Sequence, residues 1–275
     1  MKLISGRTQV TAVTLILGTA LLACASKSPT TASSASAVES GDGTESAAST
    51  AQTSRFEEMI ASPITSQDPT MAAANVAAAQ WWPAGCATRA KDPTNSSVVH
   101  IYLNDCTGPF GLEHHTGEIT VTFSKNADGS LHAQAASSNM TVNGHAVTYS
   151  RDADITLSAT QRTVKANGAW TRENAKGETV SHTANTTTVL DIASRCRTTN
   201  GTAVTRVDER ENDAKITDYK ICRKPDGLDG CPSGTVTHTH KLSGNVFTAM
   251  FDGTATAEIT GPKGGMTAVP LVCTP

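Results

Sequence analysis

The sequence predicts a mainly β fold: an antiparallel meander of hairpins forming an extended twisted sheet or a sandwich, with a short N-terminal α-helix. Three observations predict it. Ile119, Val121 and Phe123 alternate with Thr120 and Thr122, the two-residue period of a half-buried strand. Met140-Thr141-Val142 and Ala146-Val147-Thr148-Tyr149 flank Asn143-Gly144, a dipeptide that readily takes the positive-φ positions of a tight hairpin turn. Strand candidates recur roughly every 10–15 residues from residue 98 to Val272, and little in that stretch suggests a long helix.

Taken in order, residues 1–23 have the make-up of a secretory signal. Lys2 and Arg7 supply positive charge, Val10 to Leu22 an apolar run, and Ala23 a small residue before the cut. As a helix that run rises only about 20 Å, short of a hydrocarbon core of about 30 Å, so a permanent span is not expected. The tetrad Leu21-Leu22-Ala23-Cys24 resembles the lipobox of bacterial lipoproteins. That resemblance implies a diacylglyceryl group on the Cys24 sulfur, cleavage before Cys24, acylation by fatty acids such as palmitate, and a membrane partner reached through the lipid. Ala25, in place of an Asp after the cysteine, implies the outer membrane by the same resemblance.

Residues 24–54 are then expected to be the lipidated cysteine and a disordered tether. Ser, Thr, Ala and Gly dominate, with Glu39, Asp42 and Glu45 scattered among them, and such a stretch has little apolar surface to offset its ordering entropy. Residues 55–83 are the helical segment. Arg55 to Ile60 suggest a short turn, Asp68 an N-cap with Pro69 at the first helical position, and Met71 to Trp82 a helix that Pro83 ends. Trp81 and Trp82 are expected to pack against the main domain. Residues 84–275 are the β domain.

Six cysteines remain beyond Cys24: Cys86, Cys106, Cys196, Cys222, Cys231 and Cys273. An even number in an exported chain implies three disulfides. Cys86 pairs most naturally with Cys106, since both precede the β-rich body. The others close either as Cys196–Cys222 and Cys231–Cys273, or as Cys222–Cys231 and Cys196–Cys273. Turn signals punctuate the body at Asp128-Gly129, Asn167-Gly168, Lys176-Gly177, Asn200-Gly201, Ser243-Gly244 and Gly264-Gly265. Abundant Thr suits a sheet with one wet face, where the methyl packs and the hydroxyl meets solvent. Over roughly residues 85–273 the chain loosely resembles β-rich envelope lipoproteins built of strand–Asn-Gly–strand units with cysteines near the unit ends. The matching pieces are Asn104-Asp105-Cys106-Thr107-Gly108, Thr141-Val142-Asn143-Gly144 and Cys231-Pro232-Ser233-Gly234-Thr235-Val236. The resemblance implies fold and location and carries no activity.

A net charge of −3 and a pI near 6.2 leave no basic footprint for nucleic acid, and 4% aromatic residues leave little for a stacking platform. His238 and His240 stand two apart on an expected strand, Val236 to Leu242, and so share a face; a metal site would need a third ligand. His114 and His115 point to opposite faces if extended. Asn126-Ala127-Asp128-Gly129 and Asp226-Gly227-Leu228-Asp229-Gly230 are oxygen-rich but do not complete a calcium loop. Glu57-Glu58 and Glu209-Arg210-Glu211 look like solvated surface. No G-x-S-x-G elbow is present. The expectation is a non-enzymatic envelope lipoprotein without cofactor, with a structural or binding role. The alternatives are a carrier of lipid or another apolar ligand, which needs a continuous apolar lining, and a metal-binding protein using His238 and His240.

Overall fold

A computed structural model describes residues 34–61, 64–76, 81–108, 111, 113–174, 176–225 and 229–273. The expected signal peptide, Cys24 and the start of the expected tether lie outside them. One sheet of 13 strands forms the body, its strands neighbouring one another in strict chain order and pairing antiparallel throughout. They are β1 (Ala87–Lys91), β2 (Val98–Thr107), β3 (His114–Lys125), β4 (Leu131–Val142), β5 (His145–Leu157), β6 (Gln161–Glu173), β7 (Thr179–Asp191), β8 (Cys196–Val207), β9 (Arg210–Cys222), β10 (Ser233–His240), β11 (Val246–Asp252), β12 (Thr256–Thr260) and β13 (Met266–Pro270). The expected meander is therefore present, as a single sheet rather than a sandwich.

In a flat sheet β2 and β13 would lie some 50 Å apart, at about 4.8 Å per strand. Yet a β-carbon added at Gly111, in the β2–β3 loop, would come within 3.1 Å of the Val272 side chain. The sheet therefore coils on itself, with the strands' inward-facing side chains directed to a shared interior. Consecutive turns of a meander fall alternately at two ends. The β4–β5, β6–β7, β8–β9 and β10–β11 turns mark one end, and the β5–β6, β7–β8 and β9–β10 connections the other.

Helix α1 (Ser34–Ala61) covers the inner face of the sheet, touching β6 to β11. Most of the segment expected to be a disordered tether, from residue 34 to 54, is thus ordered helix. Its composition is poor in helix formers, so packing rather than propensity supports it. Small residues make the packing possible. Ala47, Ala48 and Ala51 are buried against the sheet, and Gly43 brings the backbone against the Phe247 ring. Buried hydroxyls bond back along the helix, Ser49 Oγ to Glu45 O at 2.7 Å and Thr50 Oγ1 to Ser46 O at 2.9 Å. Helix α2 (Pro69–Asn75) has the expected N-cap, Asp68 accepting from Met71 N at 2.9 Å, but ends well before Trp82. Trp81 is buried as expected, whereas Trp82 is 48% exposed.

Two of the seven sequence turn signals lie inside strands instead. Gly201 takes φ +159 in β8, where an added β-carbon would sit 2.3 Å from Asn185 O, so glycine there permits a close strand approach at a bulge. Gly168 lies in β6 opposite Arg151, and a β-carbon would meet the Arg151 guanidinium at 2.8 Å. The remaining signals that are described mark turns between strands. Three disulfides close the fold: Cys86–Cys106, Cys196–Cys222 and Cys231–Cys273.

Candidate functional site

The interior between α1 and the sheet is the most chemically loaded place in the molecule. Glu39, Asp42 and Glu45 stand three residues apart and so form one stripe on the helix. Each meets a partner on the sheet. Asn245 Nδ2 donates to Glu39 Oε2 at 2.6 Å. Arg210 reaches Asp42 at 2.7 Å through Nε and Glu178 at 2.7 Å through Nη2; these two acids hold the guanidinium above its ordinary value. Arg172 lies between Glu45 and Glu113, the latter at 3.1 Å. Burial pushes Glu45 upward although Arg172 draws it down. Burial also raises Glu113, but His115 and Arg172 more than offset it and hold its carboxyl below the usual range.

Deeper along the helix, Glu57 is buried against Arg151, Thr186 and Thr188. Arg151 also donates to Thr186 Oγ1 at 2.8 Å. Burial pulls the Arg151 guanidinium down to about 9, still above neutrality, so it remains a cation facing the carboxylate. The absence of a side chain at Gly168 gives Arg151 the room to lie across β6. Glu57 was expected at a solvated surface, and the structure overturns that. Arg210, expected likewise, is half-buried in the ion-pair seam, while its neighbour Glu211 bonds Arg206 and Lys241 nearby.

A second buried array crosses β7 to β10. His182 pairs in register with Thr205, Thr205 with Asn212, and Asn212 with His240. The Thr205 hydroxyl donates to Ser46 Oγ at 3.0 Å and so accepts from His182 Nδ1 at 2.9 Å. Both Asn212 side-chain atoms and both His238 ring nitrogens are buried without a hydrogen-bond partner among the described residues. Burial lowers His182 to about 3 and His238 to about 4, so both rings are neutral near pH 7. On β7 and β8 the threonines divide between the two faces: Thr179, Thr183, Thr187 and Thr202 are exposed as expected, and others turn inward. Thr186, Thr188, Thr199 and Thr205 are buried, and Ser54 on α1 lies 3.2 Å from the Thr199 hydroxyl.

His238 and His240 share the inward face of β10, as the sequence predicts. They are not joined by a third ligand: His240 Nδ1 lies 3.1 Å from Ser243 Oγ and 3.7 Å from Glu39 Oε1. Among the described residues no group of three or more His, Cys, Asp or Glu side chains is placed to hold a metal ion. His114 and His115 do point to opposite faces. His114 meets Asp105 at 2.9 Å at the surface, and His115 packs edge-on between Phe56 and Trp81. Asp128 accepts from Ser130 N and Oγ within its turn. Residues 226–228 of the other oxygen-rich segment lie outside the described residues, while Asp229 pairs with Arg197 at 3.2 Å.

Sequence reasoning missed Arg151, Arg172 and Arg210 as partners of the helix. The available signal was the three-residue spacing of Glu39, Asp42 and Glu45, a helical period inside an otherwise featureless segment. No protein-family model, curated protein or solved structure matches this chain. Its function therefore has to come from its own geometry.

Proposed function

We propose that this chain is a non-enzymatic, lipid-anchored envelope lipoprotein, at the outer membrane, whose coiled sheet is a rigid platform for binding or structural support. The observation that carries the reading is the cysteine arithmetic. All six body cysteines are paired with one another, leaving Cys24, directly after the apolar run, as the seventh. Three disulfides also suit an oxidising compartment outside the cytosol.

Helix α1 gives the anchor a mechanical role. Residues 25–33 separate Cys24 from the helix, a reach of at most about 32 Å at 3.6 Å per residue. Beyond that point the chain is clamped to the sheet through Glu39, Asp42, Glu45 and Glu57. The sheet end nearest the anchor is then the one carrying the β10–β11 turn, where Leu242 is 80% exposed.

An apolar-ligand carrier draws no support here, because Arg151, Arg172, His182 and Asn212 interrupt the inner face and α1 covers it. Metal binding by His238 and His240 has no third ligand among the described residues to favour it. The test is the mass of the mature protein. A chain beginning at Cys24 and bearing a diacylglyceryl group, with Cys24→Ser moving the protein to the soluble fraction, is the expected result. Unchanged mass and fractionation in Cys24→Ser would refute the reading.

A further inference from the structure

Among the described residues nine large apolar side chains are exposed, and five of them gather in one region. Val38 lies near the start of α1, Leu242 in the β10–β11 turn, Val246 and Met250 on β11, and Met266 on β13. Leu242 and Met266 are the two most exposed of the nine, at 80% and 70%. Phe247, Ala249 and Phe251 point inward along β11, so Val246, Thr248 and Met250 point outward between them. Thr248 opposes Thr260 and Thr260 opposes Met266. Met266 therefore shares that outer face two strands away, about 10 Å from Thr248. The outer faces of β5, β6 and β9 differ, because Asp154, Lys165, Asp213 and Lys215 make them ionic. On β11 to β13 the outward charges are Glu258 and, at the end of β11, Asp252.

The path of the chain brings one neighbour close to this patch. Glu39, the residue after Val38, accepts from Asn245, the residue before Val246, at 2.6 Å. Helix α1 begins at Ser34, about 8 Å further along its axis at 1.5 Å per residue. Residues 25–33 link Ser34 to Cys24, with a reach of at most about 32 Å. A lipid on Cys24 therefore holds the bilayer within one short tether of the patch. The patch suits that neighbour. Its side chains are aliphatic and stand singly among threonines, with no aromatic or arginine anchor of the kind that centres a protein interface. Lys241 and Lys263 are exposed in the two turns that border it, and Lys241 also bonds Glu211. Long cationic side chains beside apolar ones extend toward lipid headgroups.

We infer that the outer face of β11 to β13, together with the β10–β11 turn, is a membrane-contact surface that lies against the bilayer once Cys24 is lipidated. The inference rests on the lipid-anchored reading above and adds to it the face that the domain turns to the lipid. Leu242 and Met266 enter the boundary between headgroups and acyl chains, where removing apolar surface from water favours them. Glu258, paired with Met250 two residues further from the turns, marks the rim. The opposite end of the sheet, with Ile192 exposed in the β7–β8 turn, faces away.

The protein expressed as the full chain is purified and reconstituted into phosphatidylethanolamine–phosphatidylglycerol vesicles that carry a nitroxide-labelled lipid as quencher. Leu242→Trp, Met266→Trp and Ile192→Trp are compared after subtraction of the parent emission from Trp81, Trp82 and Trp170. The emission added at 242 and at 266 is expected to fall by half or more with the quencher, and that at 192 by less than a tenth. Quenching at 242 and 266 no greater than at 192 overturns the surface. Mass spectrometry of the same samples reads the anchor independently. A lipidated chain without that quenching removes the contact surface and leaves the anchor standing, whereas a chain without lipid removes both. In detergent, a dimer that Leu242→Glu with Met266→Glu splits into monomers assigns the patch to a second copy and overturns the membrane contact. Circular dichroism on each variant checks that the fold is kept.

Discussion

The two halves of the sheet solve one problem in opposite ways. Along β1 to β6 the interior is filled by large apolar side chains: Phe56, Met59 and Ile60 of α1 meet Trp81, Ile101, Ile119, Leu131 and Ile155. Along β7 to β12 the same helix presents Ala47, Ala48 and Ala51, and the sheet answers with Ala184, Ala203, Ala214 and Ala249. There the buried polar row of His182, Thr205, Asn212 and His240 runs beside an apolar cluster that includes Ile216, Tyr219, Val236 and Phe251. The apolar half gains stability from area removed from water. The other half depends on close approach and on matched charges, which are costly once one partner is lost. A helix too polar and too small to be stable alone is therefore ordered by its surroundings.

The sharpest way to break the seam between the halves is to orphan a charge, since Arg151 stands on β5 while its partner Glu57 also bonds Thr186 and Thr188 of β7. Glu57→Ala leaves Arg151 buried without its carboxylate and is expected to cost about 3–5 kcal/mol. Glu57→Leu combined with Arg151→Met recovers most of that loss. Urea unfolding of the parent, Glu57→Ala and the double variant checks both statements. A loss under 1 kcal/mol in Glu57→Ala would mean that the pair is not buried.

Packing substitutions sharpen the same contrast. Phe56→Ala removes a ring that lies tilted against Tyr149 and meets Trp81 edge-on, at an expected cost of about 3–5 kcal/mol. Ala48→Leu in the other half costs about 1–3 kcal/mol by overpacking, although it adds apolar surface. If Ala48→Leu stabilised the protein, helix and sheet would not be in close contact there.

Acid titration separates the halves without mutation. His182 and His238 have folded-state values near 3 and 4, below the ordinary value of 6.5. The unfolded chain therefore binds protons that the folded chain refuses. Stability is unaffected by these groups above about 6.5 and falls as pH drops toward 4, by up to about 1.4 kcal/mol per pH unit for each ring. His238→Leu removes one of the two contributions. It also relieves a buried imidazole without a hydrogen bond among the described residues and raises stability near pH 7.5 by about 1 kcal/mol. Urea midpoints of the parent and His238→Leu at pH 7.5 and 5.0 measure both effects.

Much of the sheet was legible in the sequence. Period-two alternation identified β3, Asn143-Gly144 marked its turn between β4 and β5, and the parity of six cysteines anticipated three bridges. The paired Asp68-Pro69 fixed the start of α2. What failed did so for tertiary reasons. Asn167-Gly168 and Asn200-Gly201 carry turn chemistry, yet their glycines serve a crossing arginine and a bulge. Residues 34–54 lack propensity and apolar surface, and only the sheet supplies partners for their hydroxyls and carboxylates. Glu57 looked like surface because nothing in its local sequence reveals an arginine 94 positions away.

Amide hydrogen exchange along α1 tests the account most directly, because everything above depends on that segment being a docked part of the domain. Amides from Ser46 to Glu57 should exchange as slowly as those of β7 to β9, and Glu57→Ala should release them ahead of the sheet. Exchange of these amides at the rate of an unstructured chain, while the strands stay protected, would contradict it.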